Sequence, residues 1–351
     1  MRCASIDAVM EGHTLEAYGV DTSQVSLSGF SSGGHMAVQV HVTYSSIFTG
    51  IAVFSGATYY QFSKDKLFGA MMKCLKQEIN PSGFLNDIYN MAVAGNFDID
   101  KLIFNLTDSL NEKIDLPTSI NETHKMARAQ KIDDPSHMAR QNIYLYTAEK
   151  DTIVAPAFMD IVYKYYLNFV SNSNIKYVKL PNAQHGMPTN NFGKPCNSQE
   201  LPFINNCNYS GAGEALSHIY GRLNPPTNPM GRLIPFNQAE FYSGSYLHDT
   251  GYIYVPTACK GGGACRLHVV FHGCMQNPEW GGDIFYQKAG FNEWAESNDI
   301  IVLYPQTKNG KIINQAGCWD FFGYENPDFY NNQGPQIKAI KAMIDRITAR
   351  R

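Results

Sequence analysis

Residues 25–36 read Val-Ser-Leu-Ser-Gly-Phe-Ser-Ser-Gly-Gly-His-Met, and no other stretch restricts the fold of this chain so strongly. A short apolar strand runs into Gly29-Phe30-Ser31-Ser32-Gly33, a G-x-S-x-G pattern, and on into a helix-compatible run from His35 to Val42. The turn is too sharp for side chains at its flanks, which is why glycines bracket it. Ser31 is set on the tip with its hydroxyl exposed and aimed at a base, the strand–turn–helix context of a nucleophile elbow. The N–H of the next residue, Ser32, falls at a helix N-terminus, where developing negative charge is favoured. A plain Gly/Ser loop also matches the pattern, but without that context.

A serine of this kind needs a base and an orienting acid. Asn142-Ile-Tyr-Leu-Tyr-Thr147 is an apolar strand, followed by Ala-Glu-Lys-Asp151-Thr-Ile-Val-Ala-Pro156. Asp151 lies just past the strand's C-terminal end, where this architecture places its carboxylate. Asp133 and Asp134 precede the strand and read as turn residues, Asp134 being followed by Pro135. Asp160 lies on the next helical stretch. Lys176-Tyr-Val-Lys-Leu180 is a further strand, ending in Pro-Asn-Ala-Gln-His185-Gly-Met-Pro188. A histidine in a Gly/Pro-flanked loop can turn its imidazole toward the elbow. The chain order Ser31, Asp151, His185 is that of the α/β-hydrolases.

One part is out of place. The loop that donates to an oxyanion ordinarily precedes the nucleophile, yet too few residues stand before the elbow for the strands leading to it. The missing pieces sit near the other end: Arg266-Leu-His-Val-Val-Phe271 runs into His272-Gly273-Cys274-Met275-Gln276, with a strand Gly251–Pro256 ahead. Behind come a helix-like segment, Phe291–Ser297, and a buried strand, Ile300–Tyr304. Circular permutation accounts for this. The fold class expected is therefore a circularly permuted α/β-hydrolase, a mostly parallel sheet with helices on both faces. It forms one catalytic domain over 1–351, with the early strands and oxyanion loop at 251–320. The other arrangement starts a second domain near residue 230.

Together, Gly29-Phe-Ser-Ser-Gly33, His272-Gly-Cys-Met-Gln276 and Gly317-Cys-Trp-Asp320 resemble the extracellular poly(3-hydroxybutyrate) depolymerases, more closely the circularly permuted single-domain type known from fungi. The resemblance spans nearly the whole chain and is weakest between residues 60 and 130. It implies a triad of Ser31, Asp151 and His185, an oxyanion hole from the N–H groups of Ser32 and Cys274, and Trp319 lining the substrate cleft. The family includes other carboxylesterases, so ester chemistry is implied more firmly than a polymer substrate.

Composition agrees. The 351 residues carry a net charge of −3, which gives no electrostatic footprint for nucleic acid. Charged residues are 17% against 21 tyrosines and 20 phenylalanines, a balance suited to an uncharged, apolar substrate. No apolar run is long enough to cross a bilayer. Eight cysteines fit four disulfides. Cys259 and Cys265 flank a short glycine loop, Cys196 and Cys207 a polar connection, and Cys274 and Cys318 sit in motifs that must converge, which leaves Cys3 for Cys74. Such a framework implies an oxidising compartment, extracellular or periplasmic. Met1-Arg-Cys-Ala-Ser holds no apolar signal core, so the chain is expected to begin at or near a mature end.

Between Tyr59 and Gln141 apolar positions recur at helical spacing, as in Leu102-Ile103, Leu106 and Leu110. An insertion of that size is too long for a plain loop. It reads as a helical cap over the C-terminal edge of the sheet, or else as a crossover helix with a decorated surface loop. The whole predicts a secreted, monomeric serine esterase using neither cofactor nor metal and hydrolysing poly(3-hydroxybutyrate) or its oligomers. Small acyl, acetyl or feruloyl esters are the alternative substrates, and a non-catalytic hydrolase-like binding protein the alternative of another class.

Overall fold

Strands whose residues are apolar on both sides must be covered on both sides, and that requirement organises the molecule. The computed structural model describes residues 13–62, 116–261, 264–311 and 314–350. In chain order the elements are β1 (Val25–Phe30), α1 (Ser32–Thr43), β2 (Gly50–Phe54), α2 (Leu116–Arg128), β3 (Asn142–Ala148), α3 (Pro156–Tyr166) and β4 (Ile175–Leu180). Then come β5 (Met187–Thr189), β6 (Lys194–Pro195), β7 (Ile204–Asn206), α4 (Gly211–Tyr220), β8 (Arg232–Asn237), β9 (Thr250–Val255) and β10 (Arg266–Phe271). The chain closes with α5 (Pro278–Gly281), α6 (Ile284–Lys288), α7 (Phe291–Ser297), β11 (Ile300–Tyr304) and α8 (Pro335–Thr348).

Eight strands form one sheet in the order β4-β3-β2-β1-β10-β11-β9-β8. All pairings from β4 to β11 are parallel, and β9 is antiparallel to both its neighbours. Alternate residues feed two cores. Val25, Leu27, Ile51, Val53, Leu145, Leu267 and Val269 pack against α1, α3 and α8. Phe30, Phe54, Tyr146, Val270 and Val302 pack against α4, α6 and α7 on the other face. Polar groups in the central strands satisfy one another: the His268 imidazole bridges the hydroxyls of Ser26 at 2.6 Å and Ser28 at 2.8 Å. Burial pulls its pKa down to about 3, so the ring is neutral.

The topology carries the mark of permutation. The elbow strand β1 lies mid-sheet, and the sheet grows outward from it to β4 through the first half of the chain. The other side is filled by β10, β11, β9 and β8 from the second half. The two ends of the described chain meet: the Tyr18 N–H donates to the Ile347 carbonyl at 3.0 Å, and Arg346 to the Leu15 carbonyl at 3.1 Å. Helix α8 thus ends where the approach to β1 begins, the juxtaposition a relocated chain break requires.

Of the stretch 59–141, only the two ends are described. Tyr59 is fully buried, and α2 is built into the core through Met126 and a 2.7 Å hydrogen bond between Thr123 and the Tyr165 hydroxyl on α3. Residues 63–115, and with them Cys74, lie outside the described residues, as does Cys3. The β2 run and the edge strand β8, which contains Pro235, went unread in the sequence. No described helix is long and apolar enough to cross a membrane.

Candidate active site

Ser31 occupies the turn between β1 and α1 with φ 56° and ψ −123°, a conformation that L-residues rarely adopt. The surroundings over-determine it. Its N–H donates to the Phe54 carbonyl at 2.9 Å, and its carbonyl accepts from the His35 N–H at 3.1 Å and the His35 Nδ1–H at 2.8 Å. A Cβ on Gly33 would lie 2.3 Å from the Phe271 carbonyl oxygen and 2.4 Å from that of His272. The elbow therefore rests backbone to backbone on the end of β10.

Asp151 and His185 come together as an enclosed pair. His185 Nδ1–H donates to Asp151 Oδ2 at 2.7 Å, with both side chains almost wholly buried. The other carboxylate oxygen accepts from the N–H groups of Ile153 at 2.9 Å and Val154 at 2.8 Å, so Asp151 is held as an acceptor on every side. The ring of Phe30, next to Ser31, lies 4.7 Å from the imidazole and joins elbow to base loop. Among the described residues, Nε2 of His185 carries no hydrogen bond and remains for Ser31. The rival acids are used elsewhere. Asp133 accepts from Ser46, Asp134 from the Ser136 N–H, and Asp160 from Tyr177 and Lys179. His35, the other histidine at Ser31, has Nδ1 taken and its ring between Phe62 and Phe321, where burial lowers its pKa to about 4.

The segment His272–Gln276 lies across the elbow. A Cβ on Gly273 would lie 3.1 Å from the Ser31 Cβ. The Gly273 N–H is taken by Gln276 Oε1 at 2.7 Å, and the Met275 N–H by the Ala316 carbonyl at 2.7 Å. Between them the Cys274 N–H is unpaired among the described residues, and Ser32 supplies the first N–H of α1, which has no intrahelical partner. Cys274 is bonded to Cys318, Cys196 to Cys207 and Cys259 to Cys265.

Trp319 departs from expectation. It does not line a cleft: its side chain is fully buried, edge-on to Phe271 at 5.1 Å, and its Nε1–H donates to the His272 carbonyl at 3.0 Å. Flanked by the bridged Cys318 and by Asp320, whose carboxylate accepts the N–H groups of Gly323 through Asn326, the chain turns the indole inward. The groups left half-exposed beside His35 and the Asp151 loop are Phe321 and Phe322, packed with Phe62, Phe158 and Val154. Their only sequence signal was their position directly after Gly317-Cys-Trp-Asp320.

No family model matches the chain. A curated "Poly(3-hydroxybutyrate) depolymerase" from Delftia acidovorans is 34% identical over 360 residues, covering 99% of this chain, which spans 64% of that relative's length. A "Polyhydroxybutyrate depolymerase" from Talaromyces funiculosus is 32% identical over 352 residues, covering 95% of this chain and 92% of the relative. Among solved structures, the PHB depolymerase from Penicillium funiculosum superposes with a TM-score of 0.78 at 30% identity, over 95% of this chain and 98% of that one. A serine-to-alanine PHB depolymerase complexed with an R3HB trimer superposes with a TM-score of 0.77 at the same identity and coverage. The strand order, the elbow and the near-full-length similarity agree: the chain belongs to the poly(3-hydroxybutyrate) depolymerase family.

Proposed function

We propose that the chain is a serine esterase that cleaves poly(3-hydroxybutyrate), or its oligomers, through an acyl-enzyme. The observation that carries the reading is the buried 2.7 Å Asp151–His185 hydrogen bond beside a serine held at φ 56°. His185 Nε2 takes the Ser31 proton as Oγ attacks the ester carbonyl, and Asp151 keeps the imidazole in the tautomer that can accept it. The oxyanion is stabilised by the N–H groups of Ser32 and Cys274. His185 returns the proton to the departing hydroxyl end of the chain, and water, activated by the same histidine, releases the acid. The relatives named above support the substrate class, and the half-exposed Phe321 and Phe322 offer apolar area for methyl-bearing repeats. Three disulfides among the described residues support action in an oxidising compartment, outside the cell or in the periplasm.

The decisive experiment pairs Ser31→Ala with a fluorophosphonate label. The parent should be labelled at Ser31 and release hydroxybutyrate from oligomers. The variant should melt like the parent and lose at least about a thousandfold in turnover. Hydrolysis within tenfold of the parent would remove Ser31 from the mechanism. Cleavage of aryl acetates but not of hydroxybutyrate oligomers or films would remove the polyester.

A further inference from the structure

We propose that Gln276 is a positioning residue that ties the oxyanion-donating loop to the segment packed against the catalytic base. This rests on the serine mechanism above. The side chain is buried with every polar atom used. Oε1 accepts the Gly273 N–H at 2.7 Å, while Nε2 donates to the Pro202 carbonyl at 2.9 Å and the Phe203 carbonyl at 3.1 Å. Phe203 belongs to the base side of the site. Its ring stands edge-on to His185 at 6.0 Å, and its carbonyl also accepts the N–H of Met187, two residues beyond the base, at 2.8 Å. One amide thus spans two segments more than 70 positions apart in the chain.

The consequence lies in the Gly273–Cys274 peptide, whose N–H is the proposed donor. Its carbonyl accepts the Nδ1–H of the preceding His272 at 2.7 Å, and Gly273 offers no Cβ to resist the rotation of its N–H side. Its orientation depends on its neighbours: Trp319 on the His272 carbonyl, Ala316 on the Met275 N–H, the Cys274–Cys318 bridge, and Gln276 on the Gly273 N–H. Of these four, only Gln276 also reaches, through its side chain, the Pro202–Phe203 segment that packs against His185. Without it the donor and the base lose a shared reference.

The test uses Gln276→Leu and Gln276→Glu in the full chain. Leucine removes both sets of bonds. Turnover should fall on the order of a hundredfold with KM little changed, because the donor acts on the transition state. Affinity for a trifluoromethyl ketone should fall by a similar factor. In that adduct Ser31 Oγ bonds to the ketone carbon, its proton passes to His185, and the charge settles on the former carbonyl oxygen, which reports the donors directly. Glutamate keeps the acceptor for Gly273 but donates to the opposing carbonyls only when protonated. Its turnover relative to the parent should therefore fall as pH rises through the ionisation of the new carboxyl, a signature that loss of stability alone does not produce.

If the leucine variant does not fold, the pH dependence of the glutamate variant decides. Leucine turnover within threefold of the parent, unchanged ketone affinity, or a pH-independent glutamate-to-parent ratio would each overturn the positioning role. None of these results touches the serine mechanism, which stands or falls with Ser31→Ala.

Discussion

Replacing Gly33 by alanine asks how tightly the two halves of the site are registered. A Cβ there meets the carbonyl oxygens of Phe271 at 2.3 Å and His272 at 2.4 Å, and the Phe271 carbonyl carbon at 2.6 Å. All three are backbone atoms, so no rotamer relieves the clash. Reaching ordinary contact at 3.4 Å requires elbow and β10 to separate by about 1 Å. A shift of that size between nucleophile and oxyanion donors costs on the order of a hundredfold in turnover, or about 2.7 kcal/mol of transition-state stabilisation. The overpacking itself should destabilise the fold by about 1–3 kcal/mol. Gly34→Ala, one position on, is the control. Its Cβ would lie 3.1 Å from the Gly56 Cα, so a few tenths of an ångström suffice and the loss should stay under roughly tenfold. Aryl-ester turnover, measured well below both melting temperatures, compares the two. Equal losses, or a Gly33→Ala enzyme within threefold of the parent, would refute the registration argument.

The buried indole predicts that Trp319→Ala lowers the melting temperature, costs about 3–5 kcal/mol of stability, and slows oligomers and small aryl esters alike; a selective loss on oligomers would return Trp319 to the cleft. Trp319→Phe should leave the His272 carbonyl without its donor, at about 1–3 kcal/mol, as read by denaturant unfolding. Acid should weaken the fold. His35, His41 and His272 are held near pKa 4 and His268 near 3 by burial, against an ordinary 6.5, so the unfolded chain binds protons that the folded chain refuses. Stability is therefore intact above pH 6.5 and falls below it, by about 1.4 kcal/mol per pH unit for each group. Asp320, pushed up to about 6 by burial, works in the opposite direction and offsets one of them. His268→Gln should flatten the slope of unfolding free energy against pH by about one proton; an unchanged slope would place His268 in water. Cys318→Ser should slow turnover at temperatures where the fold persists, and full activity would show that the bridge does not hold the Cys274 loop in place.

What was legible in the sequence was whatever a local pattern dictates. The elbow needs its residues within five positions, and β3, β4, β10 and β11 announce themselves as apolar runs ending in chemistry. The displaced Arg266–Gln276 segment was readable because a strand followed by His-Gly has few other uses. The elements that escaped depend on context. Pro235 disguises β8, which tolerates it as an edge strand. Trp319 was misplaced because its neighbour Cys318 is bridged to Cys274 in the loop across the elbow, while the direction of its ring is set by Phe271 and His272, more than forty positions away. Gln276 stands within the His272–Gln276 motif, yet its partners Pro202 and Phe203 lie 74 and 73 residues off, and no spacing rule reports them.

The seam between β1 and β10 also governs the order in which the molecule can be made. Ser26 and His268 touch across it though 242 positions apart, so its closure waits until most of the chain has left the ribosome. The β1–β4 half, with α1 to α3, can collapse on itself well before that, since each of its strands pairs with the next strand of the chain. The late strands then return to an exposed edge already waiting for them, a long-range step of the kind that slows folding. Ser31, Asp151 and His185 all reside on the early half, and the Cys274 loop arrives with the late one. A nascent or truncated chain therefore carries the proposed nucleophile and base with only the Ser32 N–H to receive the oxyanion, and full hydrolytic power is the last property the protein acquires.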